Sequence, residues 1–179
     1  GRKAENGVEL NEEMARHVED VNIALDTWRG PDIDMYVEQP VVTPQDGVPG
    51  QLDISAWNAT TKPLKIGDFK YGYGEVDPLG NSQLIHYGLG LEAALGVQID
   101  WFEFVIFQPR CHSGDGPIRS WNVHRTDLQP YIDEMVAAAI DTQSDTPTLS
   151  VGQHCRDCKA AHVCPMLRDA VMYGSQIIQ

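Results

Sequence analysis

The most informative stretch of this chain is Ile66-Gly67-Asp68-Phe69-Lys70. Successive side chains of a β-strand point to opposite faces, so Asp68 and Lys70 are predicted to share one face while Phe69 takes the other. The preceding apolar run, Gly50-Gln51-Leu52-Asp53, carries a second carboxylate. Two carboxylates that meet at a divalent cation, with a lysine beside them, form an arrangement suited to hydrolysing a phosphodiester.

The surrounding pattern predicts an α/β fold with a mixed central sheet flanked by helices. Residues 11–28 carry apolar side chains at three- and four-residue steps, with Asn11 as N-cap, which is typical of an amphipathic helix. The further predicted strands cover 35–42, 51–57, 64–71 and 101–108. The further predicted helices are one opened by Asn81 or Ser82 and ending near 95, one over 127–142 capped by Asp127, and a short one from Pro165. A polar loop is predicted over 111–120 and a linker over 143–150. The second and third strands are expected to form a hairpin, and the strongly apolar fourth strand is expected at the sheet centre.

Length and composition exclude several classes of protein. The chain has 179 residues, of which 42% are hydrophobic, enough for a packed core in one domain with a small appendage. Neither an apolar run of membrane-spanning length nor a signal peptide is visible. A cytoplasmic protein is therefore expected, in the host cytoplasm if the chain is phage-encoded, and no membrane partner.

The net charge of −13 is unusual for a protein that binds nucleic acid, because duplex binding generally uses a basic surface. The first 50 residues hold four basic and eleven acidic residues, so a DNA path is expected to avoid the N-terminal helix. Such a path is expected to use Lys62, Lys65, Arg110, Arg119, Arg125, Arg156 and Lys159.

The carboxylate and lysine residues predict particular roles. Asp53 and Asp68 are candidate ligands for Mg²⁺ or Mn²⁺, with the backbone carbonyl of Phe69 as a further ligand and Glu38 as a third carboxylate from the adjacent strand. Lys70 would orient or deprotonate the attacking water, or neutralise the transition state. The alternative is that Asp68 and Lys70 form a surface ion pair on an edge strand.

Three motifs together resemble the PD-(D/E)xK nuclease superfamily and, within it, the RecB-like exonucleases. They are Gly50-x-x-Asp53, Asp68-Phe69-Lys70 and Gln83-x-x-x-Tyr87. The resemblance implies a restriction-endonuclease-like core of α-β-β-β-α-β order. It also implies that Gln83 and Tyr87, which share one helix face, help to hold the DNA strand or the active-site geometry. Taken alone, these two residues would be ordinary helix surface and core.

The match is closer to phage and prophage RecB-like proteins, through Asp68-Phe69-Lys70-Tyr71-Gly72, Asn81-Ser82-Gln83-Leu84, Gln108-Pro109-Arg110 and the cysteine-containing tail. It covers roughly residues 35–168. The resemblance implies a metal-ligating helical His that follows a Gly. His17 is the only His ahead of the site and lacks that Gly, so a structural or surface role is the alternative. Arg110 is a candidate phosphate ligand, or else a structural partner of an acidic side chain.

The tail carries Cys155-x-x-Cys158-x₅-Cys164. Three thiolates at this spacing suit Zn²⁺ or an iron–sulfur cluster, and Cys111, His154 or His162 is the candidate fourth ligand. The tail resembles the C-terminal part of the [4Fe–4S] staple of RecB-like nucleases; the alternative is a packed knuckle of reduced cysteines. The predicted division is a nuclease core with its N-terminal helix over 1–142, and a linker and Cys-rich segment packed on that core over 143–179.

The sequence therefore predicts a Mg²⁺- or Mn²⁺-dependent DNA nuclease acting in phage DNA replication, recombination or degradation, with endo- or exonuclease action left open. The alternative is a catalytically weak or inactive nuclease fold that binds DNA or docks a protein, which the acidic charge favours. A homo-oligomer would pool the few basic residues into one DNA channel.

Overall fold

The computed structural model describes residues 2–3, 7, 9–44, 47–59, 63–156 and 158–177. The chain divides into two compact units, residues 1–136 and residues 137–179, and the division falls within a helix. The sequence-based boundary after residue 142 lies six residues further on. None of the helices in the described part of the chain has the length and apolar composition needed to cross a bilayer.

The described elements alternate between strands and helices. The strands are β1 (Arg2–Lys3), β2 (Glu9–Leu10), β3 (Asp34–Val42), β4 (Pro49–Trp57), β5 (Leu64–Phe69), β6 (Trp101–Phe107) and β7 (Ile118–His124). The α-helices are α1 (Glu12–Asp26), α2 (Ser82–Leu95), α3 (Gln129–Thr142) and α4 (Pro165–Ile177), and short 3₁₀ helices cover Arg125–Leu128, Gln153–Arg156 and Ala161–Val163.

Five strands form a mixed sheet in the order β3-β4-β5-β6-β7. Only the β5–β6 pair is parallel, because α2 carries the chain back between these two strands; the other three pairs are antiparallel. The mixed sheet flanked by helices is confirmed, as is the β4–β5 hairpin. The apolar strand β6 lies inside the sheet as expected of a covered strand, but the central position belongs to β5.

Helices cover both faces of this sheet. On one face, Leu25 of α1 and Trp28, which follows the helix, form a small core with Ala56, Val105 and Phe107. On the other face, α2 and the beginning of α3 build the larger core, whose fully buried members include Leu84, Ile85, Leu89, Phe102, Phe104 and Leu128. The sheet is therefore a middle layer between helices.

The helix starts follow their caps. Asn11 accepts a hydrogen bond from the Met14 amide and Asn81 accepts one from the Leu84 amide, so both predicted N-caps are confirmed. Asp127 is not a cap: it lies inside the Arg125–Leu128 3₁₀ turn, and α3 begins two residues later.

The edge strand β7 replaces part of the predicted polar loop over 111–120. Its inward positions are taken by Arg119, Trp121 and Val123, and Arg119 is 7% exposed. A buried arginine in a core-facing position breaks the apolar alternation by which a strand is recognised, so the sequence pattern predicted a loop here.

The second unit contains the end of α3, two 3₁₀ turns and α4. Residues 143–150 form neither helix nor strand, as the linker prediction expected, and α4 begins at Pro165 as predicted. Proline suits the first position of a helix because its missing N–H has no intrahelical partner there.

Candidate active site

A break in strand alternation places Asp53. Glu38 has a φ of 51°, in the left-handed region that a strand otherwise avoids, and the β3–β4 register sets it opposite Asp53. On β4, Leu52 packs in the larger core while Ile54, two residues on, packs against the smaller core on the opposite face. The side-chain alternation of β4 is therefore interrupted at Asp53. The Asp53 side chain belongs to neither core and is half-buried.

Asp53, Asp68 and Lys70 meet at the end of β5. Asp53 Oδ2 accepts a 2.8 Å hydrogen bond from the Phe69 amide. Asp68 is only 2% exposed, and the Lys70 ammonium lies 3.0 Å from its Oδ1 and 2.8 Å from its Oδ2. Two carboxylates and one ammonium are thus close together: Asp68 comes from the end of β5, Lys70 directly follows that strand, and Asp53 comes from the neighbouring strand β4.

A line of hydrogen bonds connects this centre to α2. The Lys70 ammonium donates to Gln83 Oε1 at 3.0 Å, and Gln83 Nε2 donates to the Tyr87 hydroxyl at 2.9 Å. A Cβ at Gly50 would lie 2.6 Å from Tyr87 Cε1, so a glycine at that point of β4 gives the tyrosine ring its space. The three motifs of the sequence thus contact one another in space.

Burial shapes the electrostatics of this centre. The pKa of Asp68 is raised above its ordinary range, chiefly because burial disfavours the charged form. Lys70 opposes that rise through its hydrogen bond and charge, and the negative charge of Asp53 adds to it. A further positive charge between the two carboxylates would favour ionised Asp68.

The donor set fits a divalent cation. The buried Asp68 Oδ2 contacts the Lys70 ammonium, yet it accepts no well-formed hydrogen bond from the residues that the structure describes. The ammonium already compensates the charge of this oxygen, and a divalent cation beside it would add to that compensation. Carboxylate oxygens are also the ligands that Mg²⁺ and Mn²⁺ prefer.

Two of the proposed ligands contact other side chains. Glu38 is exposed and its Oε2 accepts a hydrogen bond from Gln51 Nε2 at 2.5 Å. His17 Nδ1 lies 3.2 Å from the Tyr71 hydroxyl. Within the described ranges, three or more His, Cys, Asp or Glu side chains never gather in a way that could hold a metal, so neither residue completes the aspartate pair.

Comparison with known proteins identifies the family. A family model for DUF2800, described as a protein of unknown function, matches residues 3–176. The chain belongs to the DUF2800 family. No curated protein matches it.

Two solved structures resemble this DUF2800 chain distantly. The protein SSO0001 is 13% identical with a TM-score of 0.38, over 85% of this chain and 68% of that one. An alkaline exonuclease from Laribacter hongkongensis is 17% identical with a TM-score of 0.34, over 76% of this chain and 71% of that one. Both scores are below 0.5, so neither likeness carries an argument about this chain.

The predicted basic path in the DUF2800 chain is largely used for internal contacts. Lys65 pairs with Glu103 at 2.5 Å and lies over the Trp28 ring, and Arg125 pairs with Glu92. Arg156 and Lys159 are exposed in the second unit, and Lys62 lies outside the described residues. The structure therefore does not present Lys65 or Arg125 as a free cation for phosphate.

Arg119, also proposed for DNA contact, is instead a buried structural residue. Its guanidinium donates to the carbonyls of Gly116 and Val76, both at 2.8 Å, and to Gln108 Oε1 at 2.6 Å. The same Gln108 donates through Nε2 to the carbonyls of Gly72 and Gly74, at 3.0 and 2.7 Å. Arg119 and Gln108 therefore fasten the glycine-rich loop that follows Lys70.

The role of Gln108 was not predicted from the sequence. The available signal was a polar residue directly after the apolar strand β6, within Gln108-Pro109-Arg110. Its side chain is 1% exposed, and a buried amide needs partners for both its donor and its acceptor atoms. Such a residue marks a clamp on a neighbouring loop.

The cysteines do not form a metal-binding group in the described part of the chain. Cys155, Cys158 and Cys164 are free thiols in the second unit, and Cys111 is a buried free thiol in the first. Backbone hydrogen bonds from the Cys158 amide to Cys155 and from the Cys164 amide to Ala161 form local turns. The predicted cysteine knuckle is not confirmed.

Proposed function

We propose that the chain is a divalent-metal-dependent deoxyribonuclease of the PD-(D/E)xK, RecB-like type, with Asp53, Asp68 and Lys70 as its reactive centre. The observation that supports this most strongly is the Lys70 ammonium, which contacts both oxygens of buried Asp68 and also donates to the Gln83 side-chain oxygen. A surface ion pair on an edge strand would explain neither the 2% exposure of Asp68 nor the interior position of β5.

Asp53 and Asp68, with the Phe69 carbonyl, would hold Mg²⁺ or Mn²⁺. Such a cation offsets charge on phosphoryl oxygens and acidifies water. Lys70 would orient the attacking water or stabilise negative charge on the phosphoryl group. Gln83 acts as a positioning residue: its Nε2 donates to the Tyr87 hydroxyl, which turns its oxygen toward the ammonium of Lys70.

The sheet order supports the same proposal at the level of fold. Strands β3, β4 and β5, helix α2 and strand β6 follow α1 in the order expected of a restriction-endonuclease-like core. A role in phage DNA replication, recombination or degradation is the corresponding biological proposal.

A second candidate function is a non-catalytic nuclease fold that docks a protein or DNA. The observation that favours it is electrostatic: the net charge is −13, and Lys65, Arg119 and Arg125 are engaged in internal contacts. A polyanion would gain little from such a surface, so the charge favours the protein-docking form of this second candidate over its DNA-binding form.

A digestion panel separates the two functions. Linear duplex, circular duplex and single-stranded DNA would be incubated with Mg²⁺, Mn²⁺ or a chelator, and cleavage of circles would distinguish endo- from exonuclease action. Asp68→Asn and Lys70→Ala are each expected to lose about 10²–10⁴-fold in rate. The matched control is Asp133→Asn on the exposed face of α3.

Both site variants must keep the fold, as judged by far-ultraviolet circular dichroism. Cleavage by both variants at the parent rate would refute the nuclease proposal. A parent that binds DNA or a protein but cuts none of the substrates with either metal would support the docking function.

A further inference from the structure

An aromatic and cationic surface adjoins the candidate reactive centre. It consists of Phe69, Tyr71, Tyr73 and Arg110, and is called the stacking patch here. The rings of Phe69 and Tyr71 are stacked, with centroids 5.9 Å apart and planes at 20°. The Arg110 guanidinium carbon lies 4.0 Å from the Tyr73 ring centroid and 5.0 Å from that of Tyr71.

The stacking patch is open to solvent. Tyr73 is 63% exposed and Phe69 is 39% exposed, although large aromatic side chains are normally covered. Contiguous exposed apolar surface bordered by polar groups is typical of binding sites. The patch therefore has the exposure that a ligand would use.

The stacking patch is also held in place before any ligand arrives. Gln108 donates to the carbonyls of Gly72 and Gly74, the residues on either side of Tyr73, and accepts from the Val76 amide at 3.2 Å. The Tyr71 hydroxyl contacts His17 at 3.2 Å. A surface fixed in this way loses little conformational freedom on binding, which favours affinity.

The chemistry of these side chains favours a flat aromatic ligand. Tyrosine faces and an arginine guanidinium stack on nucleobases, and they do so with any base because every base has a π-face. Arg110 reaches the nearest carboxylate, that of Glu13, only at 3.8 Å, so its charge is weakly compensated. Guanidinium groups bind phosphate through paired hydrogen bonds, so Arg110 offers a partner for a phosphate beside a base stacked on Tyr73.

The position of the stacking patch and the net charge of the chain favour single-stranded over double-stranded DNA as the ligand. The Phe69 amide donates to Asp53 Oδ2, and the Phe69 side chain lines a surface cavity together with Asp53, so the stacking patch begins beside one carboxylate of the candidate reactive centre. A duplex hides its base faces and depends on many phosphate contacts, which a chain of net charge −13 supplies poorly. Unpaired bases offer their faces directly.

We propose that the stacking patch is a nucleobase-binding subsite that holds an unpaired base of a DNA strand next to the phosphate to be cut. The part of this proposal that concerns the phosphate to be cut rests on the proposed nuclease function. The part that concerns binding of the base is independent of that function, because binding can be measured without cleavage.

The test is fluorescence anisotropy in the presence of a chelator, which prevents metal-dependent cleavage. The probes are a labelled single strand, the duplex of the same sequence, and the same single strand carrying abasic sites. The parent is expected to bind the intact single strand most tightly. Tyr73→Ala should weaken that binding by about 5- to 150-fold, the loss of one stacked base, while Tyr73→Phe should retain it.

The matched control is Tyr173→Ala, which removes another exposed tyrosine, in the second unit. It should bind as the parent does. Equal affinity of the parent for the intact and abasic strands, or unchanged binding by Tyr73→Ala, would overturn the subsite. If DNA is cut but Tyr73→Ala binds normally, the subsite fails and the nuclease function stands. If base-dependent binding requires Tyr73 but no DNA is cut, the subsite stands and the nuclease function fails.

Discussion

Replacing Lys70 by methionine tests the energetic account of the site without relying on activity. The substitution keeps an unbranched stem but removes the ammonium that lies 2.8–3.0 Å from the two oxygens of Asp68. Removing one partner of a fully buried ion pair costs about 3–5 kcal/mol. Asp68 is 2% exposed but the Lys70 side chain is 30% exposed, so water replaces part of the lost contact. We therefore expect a loss of about 2 kcal/mol in the free energy of unfolding at pH 8.

The loss in the free energy of unfolding caused by Lys70→Met should also become smaller as the pH falls. Burial raises the pKa of Asp68 above its ordinary 3.8, and Lys70 lowers it, so Lys70→Met raises that pKa further. A carboxyl with a raised pKa binds its proton more tightly in the folded state, so stability falls as pH rises from 3.8 through the folded-state value. The difference between variant and parent is therefore largest above that pKa and shrinks as the pH falls toward about 4.

Urea unfolding over a pH series measures these quantities. The double variant Asp68→Asn with Lys70→Met removes both partners and should recover much of the loss. The matched control is Lys65→Met, whose partner Glu103 is 18% exposed and for which we expect about 1 kcal/mol or less. A Lys70→Met variant as stable as the parent at pH 8, or a loss that stays constant in acid, would refute this reasoning.

Two further predictions concern the supports of the site. Gly50→Ala places a Cβ 2.6 Å from a Tyr87 ring atom and should cost about 1–3 kcal/mol, whereas Gly114→Ala meets no atom within 4 Å; equal thermal unfolding of the two variants would contradict the close approach. Gln108→Leu removes the acceptor of the Val76 amide, so hydrogen exchange at Val76 should accelerate, and an unchanged exchange rate would count against the clamp.

Local chemistry made much of the fold predictable. Asn11 and Asn81 start α1 and α2 as their side chains suggest, because a cap depends on neighbouring backbone amides only. The hairpin and the apolar strand β6 follow from periodicity. The strand β7 was missed because the pattern rule assumes apolar inward side chains. Arg119 is buried there through hydrogen bonds to Gly116, Gln108 and the distant Val76.

The site was only partly predictable for a similar reason. Motif spacing brought Asp68, Lys70 and Gln83 into one hypothesis, and they do contact one another. Their catalytic roles remain predictions. Side-chain alternation alone could not place Asp53, because the alternation of β4 is interrupted opposite Glu38. The positive φ of Glu38 has no signature in the sequence. A backbone break of this kind cannot be deduced from residue spacing.

The stacking patch shows the same limit. Its rings are two residues apart in sequence, which indicates a shared side on an extended chain. The fixed course of the loop beyond Lys70 depends on Gln108, which lies more than thirty residues away. A distant clamp of this kind is visible only in the structure.

The most direct measurement of the central claim is a calorimetric titration of the protein with Mn²⁺. The account predicts saturable binding by the parent and by the control Asp133→Asn, and its loss in Asp53→Asn, because Asp53 and Asp68 would share the cation. A parent without saturable binding, or an Asp53→Asn variant that binds Mn²⁺ as the parent does, would contradict it.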